Sequence, residues 1–329
     1  MNNSKIKVAV CLVTYNQARF IRESITSALN QKANFQIDVL VGNDCSTDET
    51  KNVLQSIHEK HPNVIVFNRP KNLGLVRNTI EIFQYIFEHD YQYVAMLDGD
   101  DFWCDDEKLQ RQVDLMEQHP TMSFCYMNAT SSKKIARMPK SDMPLIRVEN
   151  MFNKIRSTGI GNGTVLHRVE CLKQVPFDKI IRAELLSMDY PTNVYMAKQG
   201  EVGYIDRVSL FWRRTGNTVS SSKEKQRALR YIDHEVRQGL FLSNEFPNTP
   251  YYFSLQDSEE FRQWQIYQWA LSCRDYHTIR QCIQHANFPL RWLNAAPEKP
   301  FLDSKIMFNI YIYIVKKYKT LCRLVGICK

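Results

Sequence analysis

The chain has 329 residues, 44% of them hydrophobic, enough to bury one large core or a core with an accessory domain, and is therefore globular. Nine cysteines at scattered positions, Cys11, Cys45, Cys104 and Cys125 among them, form no CxxC pair, which argues against a zinc site or disulfide framework and reads as reduced thiols in a cytosol. The net charge of +8 is lopsided: residues 305–329 hold Lys305, Lys316, Lys317, Lys319, Arg323 and Lys329 and no acid, so the body supports no nucleic-acid footprint.

Met1 to Lys5 lead into a strand with no apolar signal region, and no run reaches the ~18 apolar residues that span a bilayer; a cytoplasmic location is expected. Val8 to Val13 is a continuous apolar run, as in a strand buried on both faces. Helical spacing follows from Ala18 to Leu29, then a second strand from Phe35 to Val41. Ser46 and Glu49 form an S-x-x-E pattern that predicts a capped helix. A strand over Val64 to Phe67 and a helix over Leu75 to Glu88 precede a last apolar run from Tyr93 to Leu97. This alternation predicts an α/β fold, a mostly parallel sheet flanked by helices.

The last run opens into Asp98-Gly99-Asp100-Asp101, at the carboxyl end of a strand, where open α/β sheets bind ligands. Carboxylates gathered there repel one another unless a hard divalent cation holds them, and oxygen ligands suit Mg2+ or Mn2+, which in turn hold phosphate. A solvated acidic turn is the plainer alternative. No G-x-G-x-x-G turn follows the first strand, which argues against a dinucleotide enzyme. Polar residues gather instead at three strand ends: Thr14 and Asn16, Asp44 and Ser46, Asp98 and Asp100. Asp44 can accept from a base N–H or cap a helix, and Arg77 can meet a phosphate or make a surface ion pair.

Val10-Cys11-Leu12-Val13-Thr14-Tyr15-Asn16, Gly42-Asn43-Asp44-Cys45-Ser46-Thr47-Asp48, Asn72-Leu73-Gly74 with Arg77-Asn78, and Leu97-Asp98-Gly99-Asp100-Asp101 together resemble the ordered motifs of family 2 glycosyltransferases, over roughly residues 6–215. The resemblance implies a GT-A fold, an inverting transferase of cell-surface polysaccharide type, a nucleotide-diphosphosugar donor, commonly UDP-linked, and a glycan or lipid-linked acceptor. It implies Thr14, Tyr15, Asn16, Asp44, Arg77, Asp98 and Gly99 around the nucleotide, and Asp98 and Asp100 as a D-x-D pair for Mn2+ or Mg2+. In this family an acid at a later helix N-terminus is the catalytic base, and Asp189, opening an amphipathic pattern through Val194, Met196 and Ala197, matches it; a helix N-cap is the alternative. Asp101 would orient the acceptor, support the metal or cap a helix in solvent. One departure is Thr215, which stands where the family commonly has a His; Arg213 or Arg214 would then contact the diphosphate.

Residues 130–147 lack periodicity and read as a loop, and Gly159-Ile160-Gly161-Asn162-Gly163 as an acceptor-site floor or a plain turn. The glycosyltransferase domain is expected over residues 1–220, with a helical accessory region over 221–329. Its signals are a helix from Lys223 to Leu242, a capping box at Asp257-Ser258-Glu259-Glu260 and a helix from Tyr276 to Ala286. The tail, apolar from Ile306 to Val315 and then basic, lies on a membrane's inner face or packs on the module. Two other functions share these signals: a sugar-phosphate nucleotidyltransferase, which needs a basic glycine-rich loop that Thr14-Tyr15-Asn16 is not, and a catalytically silent nucleotide or glycan binder.

Overall fold

The computed structural model describes residues 6–131, 160–213, 223–247 and 255–284. Strand β1, Lys7–Thr14, runs through the middle of the sheet and is buried from Val8 onward, because strands flank it on both sides. Its neighbours are β2, Gln36–Asn43, and β4, Tyr93–Asp98; β3, Val64–Asn68, lies outside β2, and all four strands are parallel. The register sets Thr14 beside Asn43, Val13 beside Asp98 and Asn43 beside Asn68, so every one of these strands ends at the same edge. That edge carries the polar residues.

Helices α1, Ile21–Leu29, α2, Thr50–His58, and α3, Leu75–Phe87, connect the strands. The first two bury a stripe at helical spacing, Ile21, Ile25 and Ala28 in α1 and Leu54 and Ile57 in α2, into a core with Val8, Val10, Leu12, Val39 and Val41, while α3 buries Val76, Ile80, Phe83 and Ile86. The first helix starts at Ile21 and not Ala18, since Gln17 to Phe20 form a turn closed by the Gln17 carbonyl.

Beyond β4 the sheet continues through β5, Phe102–Trp103, β6, Met122–Thr130, β7, Leu166–Arg168, and β8, Glu201–Phe211, in the order β3-β2-β1-β4-β7-β6-β8-β5. Short β7 is antiparallel to both β4 and β6, while β6 and β8 run parallel. The two-residue β5 pairs Phe102 with Phe211, which brings the end of β8 against the acidic turn that precedes β5. Helix α4, Lys108–Gln118, and short helices α5, Val169–Leu172, and α6, Phe177–Arg182, complete this part with α7, Asp189–Gln199.

Three local expectations are corrected. The Ser46 to Glu49 box does not form: α2 begins at Thr50 with no side-chain cap, because Ser46 Oγ accepts the Asn16 N–H instead. The Asp257 to Glu260 pattern lies inside a helix that already starts at Leu255. Helix α7 is not amphipathic, since Pro191, Thr192, Asn193, Val194, Met196 and Ala197 bury most of its circumference.

The described residues fall into two compact units, one reaching residue 213 and one starting at 223. The second consists of α8, Lys225–Glu245, α9, Leu255–Cys273, and α10, Tyr276–Gln284. Its own core is Ile232, Ile266, Tyr267, Ala270, Ile279 and Cys282, with Trp264 packed against it, so these aromatics are core side chains. Among the described residues no helix is long and apolar enough to cross a membrane. The loop at 132–147 and the tail at 305–329 lie outside the described residues.

Candidate active site

Two consecutive strand exits are tied together before any ligand is considered. Asn16 has a positive φ of 54°, a conformation Asn tolerates, which turns the chain out of β1. Its carboxamide oxygen accepts the Thr47 N–H at 2.7 Å, and its own N–H donates to Ser46 Oγ at 3.0 Å. The Asp48 carboxylate accepts the Ala18 and Thr50 N–H groups, which holds it below its ordinary range against the opposing effect of burial. Thr14 is buried there, and Tyr15, at 47% exposure, lies open at the mouth.

Asp44 is 5% exposed and clamps the next loop: its two carboxylate oxygens accept the Leu73 and Gly74 N–H groups at 2.7 and 2.9 Å. Gly74, at φ +80°, takes the conformation that lets this turn enter α3. Asp44 does not cap α2. Arg77 stands exposed on the first turn of α3 and makes no ion pair with any described residue.

The acidic turn is held from behind. The Ser24 hydroxyl lies between the Gly99 and Asp101 carbonyls, and the Gly99 N–H donates to Val13 O at 3.1 Å. Gly99 packs so closely that a Cβ there would meet Gln17 Oε1 at 2.4 Å and Thr14 Oγ1 at 2.9 Å, so only glycine lets the turn seat on the β1 exit. Arg213, expected at the diphosphate, staples the turn: its N–H donates to Asp101 Oδ1 at 2.8 Å, Nη1 to Asp100 O and Nη2 to Glu23, with the guanidinium over Phe20 and Phe102. Asp101 is only 3% exposed and starts no helix, which corrects the solvent-facing cap. Arg214 and Thr215 lie outside the described residues.

Asp98 accepts from Asn162 Nδ2 at 3.2 Å, a partner the glycine-rich stretch did not announce. Burial first, then the charges of Asp100 and Asp189, push the Asp98 carboxyl up to about 7. Burial and the Asp98 charge push Asp101 up to about 8, and burial raises Asp100 against the lowering effect of Arg213 and Gln17. None of Asp98, Asp100 and Asp101 forms an ion pair with a described lysine or arginine side chain. Among the described residues no three His, Cys, Asp or Glu side chains are grouped to hold a metal by themselves. The Asp98 and Asp100 carboxylates could still hold a divalent ion that completes its shell with phosphate oxygens and water, as Mg2+ usually does.

Asp189 is the first residue of α7, one past the N-cap Met188, and caps nothing with its side chain. It lines, with Asp98, a cavity of about 130 Å3 whose other walls include Phe83, Met96, Asn162, His167 and Thr192. The sequence-predicted residues thus divide into a β1–β2 group, a carboxylate group with Asp189 beside it, and the exposed Arg77.

A mostly parallel sheet flanked by helices, with acids at the end of a central strand, places the chain among α/β folds of GT-A type. The family model of glycosyl transferase family 2 matches residues 9–180, more than half of the chain, and the chain belongs to that family. An uncharacterized protein of Mycobacterium tuberculosis is 24% identical over 218 residues, 64% of this chain, which spans 60% of that relative's length. TuaG of Bacillus subtilis, provisionally described as a teichuronic acid biosynthesis glycosyltransferase, is 27% identical over 68% of this chain and 86% of its own. Among solved structures, Staphylococcus aureus TarS 1–349 in complex with UDP-GlcNAc aligns at a TM-score of 0.51 and 16% identity, over 96% of this chain and 92% of that one. The mannosyltransferase PcManGT of Pyrobaculum calidifontis, in complex with GDP-Man and Mn2+, aligns at 0.55 and 15%, over 93% and 86%. At those identities the solved structures speak for the fold alone.

Proposed function

We propose that the chain is an inverting glycosyltransferase that moves a sugar from a nucleotide-diphosphosugar, UDP-linked, to a hydroxyl of a glycan or lipid-linked acceptor of the cell surface. The observation that carries this reading is the Asp98 carboxylate, crowded by Asp100 and Asp189 and, among the described residues, in no ion pair, at the end of a central parallel strand and on the rim of a cavity. A structural acid would be paired; an acid left like this is suited to a cation that arrives with the substrate.

The chain's residues divide the work. The loops at Thr14, Tyr15, Asn16 and Asp44 form a rigid floor for the nucleotide, with Arg77 exposed at the α3 start to meet phosphate. Mn2+ or Mg2+ held by Asp98 and Asp100 would supply Lewis-acid stabilisation of the leaving diphosphate. Asp189 takes the proton of the acceptor hydroxyl as its oxygen attacks the anomeric carbon, and a single displacement inverts the configuration. Asp101 and Arg213 hold the turn in place beneath the donor.

The test separates binding from chemistry. Asp189→Asn should bind UDP with Mn2+ as wild type does, and lose about 100-fold or more in transfer, the scale of a lost general base. Unchanged transfer by this variant would overturn the role of Asp189. UDP binding with no hydrolysis of any donor by wild type would favour a silent binder.

A further inference from the structure

Asn162 reaches Asp98 from a single 3-10 turn, Asn162–Thr164, a piece too short to be stable by itself. Its bond to Asp98, at 3.2 Å, is at the long end of the N–H···O range and is too weak to fix the turn. The chain beyond the turn is anchored, since Leu166 pairs with Ala95 of β4. The turn itself is gripped by two side chains from distant parts of the sequence. Trp103 Nε1 donates to Gly163 O at 2.7 Å, and Gln112 Nε2 donates to Thr164 O at 3.0 Å and to Cys125 O at 3.3 Å.

Solvent does not stand in for either donor, because Lys108, Gln112 and Thr164 are wholly buried and Trp103 is 4% exposed. The Gln112 carboxamide has only one way round. Lys108 Nζ can only donate, and does so to Oε1 at 2.6 Å, so the amino end faces the two carbonyls. The same ammonium lies over the Trp103 ring, 4.4 Å from its centroid, and ties the two donors into one network. Gly163 seats on this frame as well: a Cβ there would meet Leu210 Cδ1 at 2.8 Å, and Leu210 is the β8 partner of Trp103.

Trp103 belongs to the acidic arm too. It lies two residues beyond Asp101, in β5, and its backbone N–H donates to Ser27 Oγ at 3.0 Å. Ser27 is on α1, the helix whose Ser24 hydroxyl holds the Gly99 and Asp101 carbonyls. The indole is therefore a strut between the turn that carries Asp98 and Asp100 and the turn that carries Asn162, and Gln112 braces the far side of the second turn. We propose, resting on the glycosyltransferase reading above, that Trp103 and Gln112 are positioning residues of the cation site: by holding the Gly163 and Thr164 carbonyls they keep Asn162 on Asp98 and so set how tightly the two carboxylates grip a divalent ion.

The test is a double-mutant cycle on the full chain, read by binding and not by turnover: Mn2+ affinity with UDP present, from the electron paramagnetic resonance signal of the free ion. Trp103→Phe keeps a ring under Lys108 and removes the indole N–H. It should weaken Mn2+ binding by about tenfold, the scale of a lost outer-shell partner, and by less than about twofold once Asn162→Ala is already present. Gln112→Glu keeps the Lys108 contact and loses both donor bonds; it should show the same dependence on Asn162. A merely structural loss would be equal in both backgrounds, because general destabilisation does not act through Asn162. Equal losses, or full Mn2+ affinity in both variants, overturn the proposal and leave the glycosyltransferase reading standing. Wild type that binds no Mn2+ with UDP, GDP or dTDP overturns the cation in that reading and the proposal with it.

Discussion

Asn162 Nδ2 donates to Asp98 Oδ1 across 64 positions of sequence, so a glycine-rich turn after a long connection holds the acid that ends β4. The bond favours the charged carboxylate and opposes the burial and like charges that raise it.

Asn162→Ala should therefore weaken the site more than the fold. Loss of a hydrogen bond to a metal-binding carboxylate reduces metal affinity or activity roughly 10–100-fold. A Mn2+ titration of donor hydrolysis checks it; an unchanged half-saturating concentration would show that Asn162 leaves Asp98 alone.

The crowded acids predict a pH dependence with a definite sign. Asp98 and Asp101 have folded-state values of about 7 and 8, above the ordinary 3.8, so the folded protein holds these protons more tightly than the unfolded chain. Their contribution to stability is complete below the ordinary value and is lost as pH rises through the folded values. Without divalent cations, this contribution should fall between pH 5 and 8, and added Mn2+ should raise the unfolding temperature more at pH 8 than at pH 5. Equal shifts at both would count against a cation at these carboxylates. Asp98→Asn should shrink the difference.

Lys108 gives the opposite slope at higher pH. Its side chain is wholly buried, donates from Nζ to Gln112 Oε1 at 2.6 Å and lies over Trp103 at 4.4 Å; burial lowers its pKa to about 7. The unfolded lysine, near 10.5, takes up a proton that the folded one resists, so stability rises with pH between about 7 and 10.5 on this account. Lys108→Met should flatten that rise in urea unfolding at pH 7 to 10 and should stabilise the chain at pH 7. A rise of equal steepness in the variant would place its source elsewhere.

The parallel half of the fold was legible because strands buried on both faces must be apolar throughout, and Val8 to Val13 and Tyr93 to Leu97 are. The bonds that assemble the site were not. Ser46 and Glu49 have the right spacing for a cap, yet Ser46 is engaged by Asn16, a residue 30 positions away. Asp44 offered a choice between helix cap and ligand contact; it caps no helix, and the bonds by which its carboxylate clamps the Leu73–Gly74 turn had no sequence signal. Helix α7 misled in the other direction, since polar Thr192 and Asn193 are buried and blur the amphipathic pattern. His167 and Thr192 carried no signal at all, because a polar side chain buried beside Asp98 looks the same in sequence as one left in solvent.

The tight seat of Gly99 on Thr14 and Gln17 has a consequence for how this lineage can vary. Position 99 cannot acquire even a methyl group unless a neighbour shortens in step, so tolerated changes at 14, 17 and 99 should arrive as correlated sets. Under the proposed assignment, with the nucleotide over Thr14 and a cation at Asp98 and Asp100, a change made for one would be felt at the other.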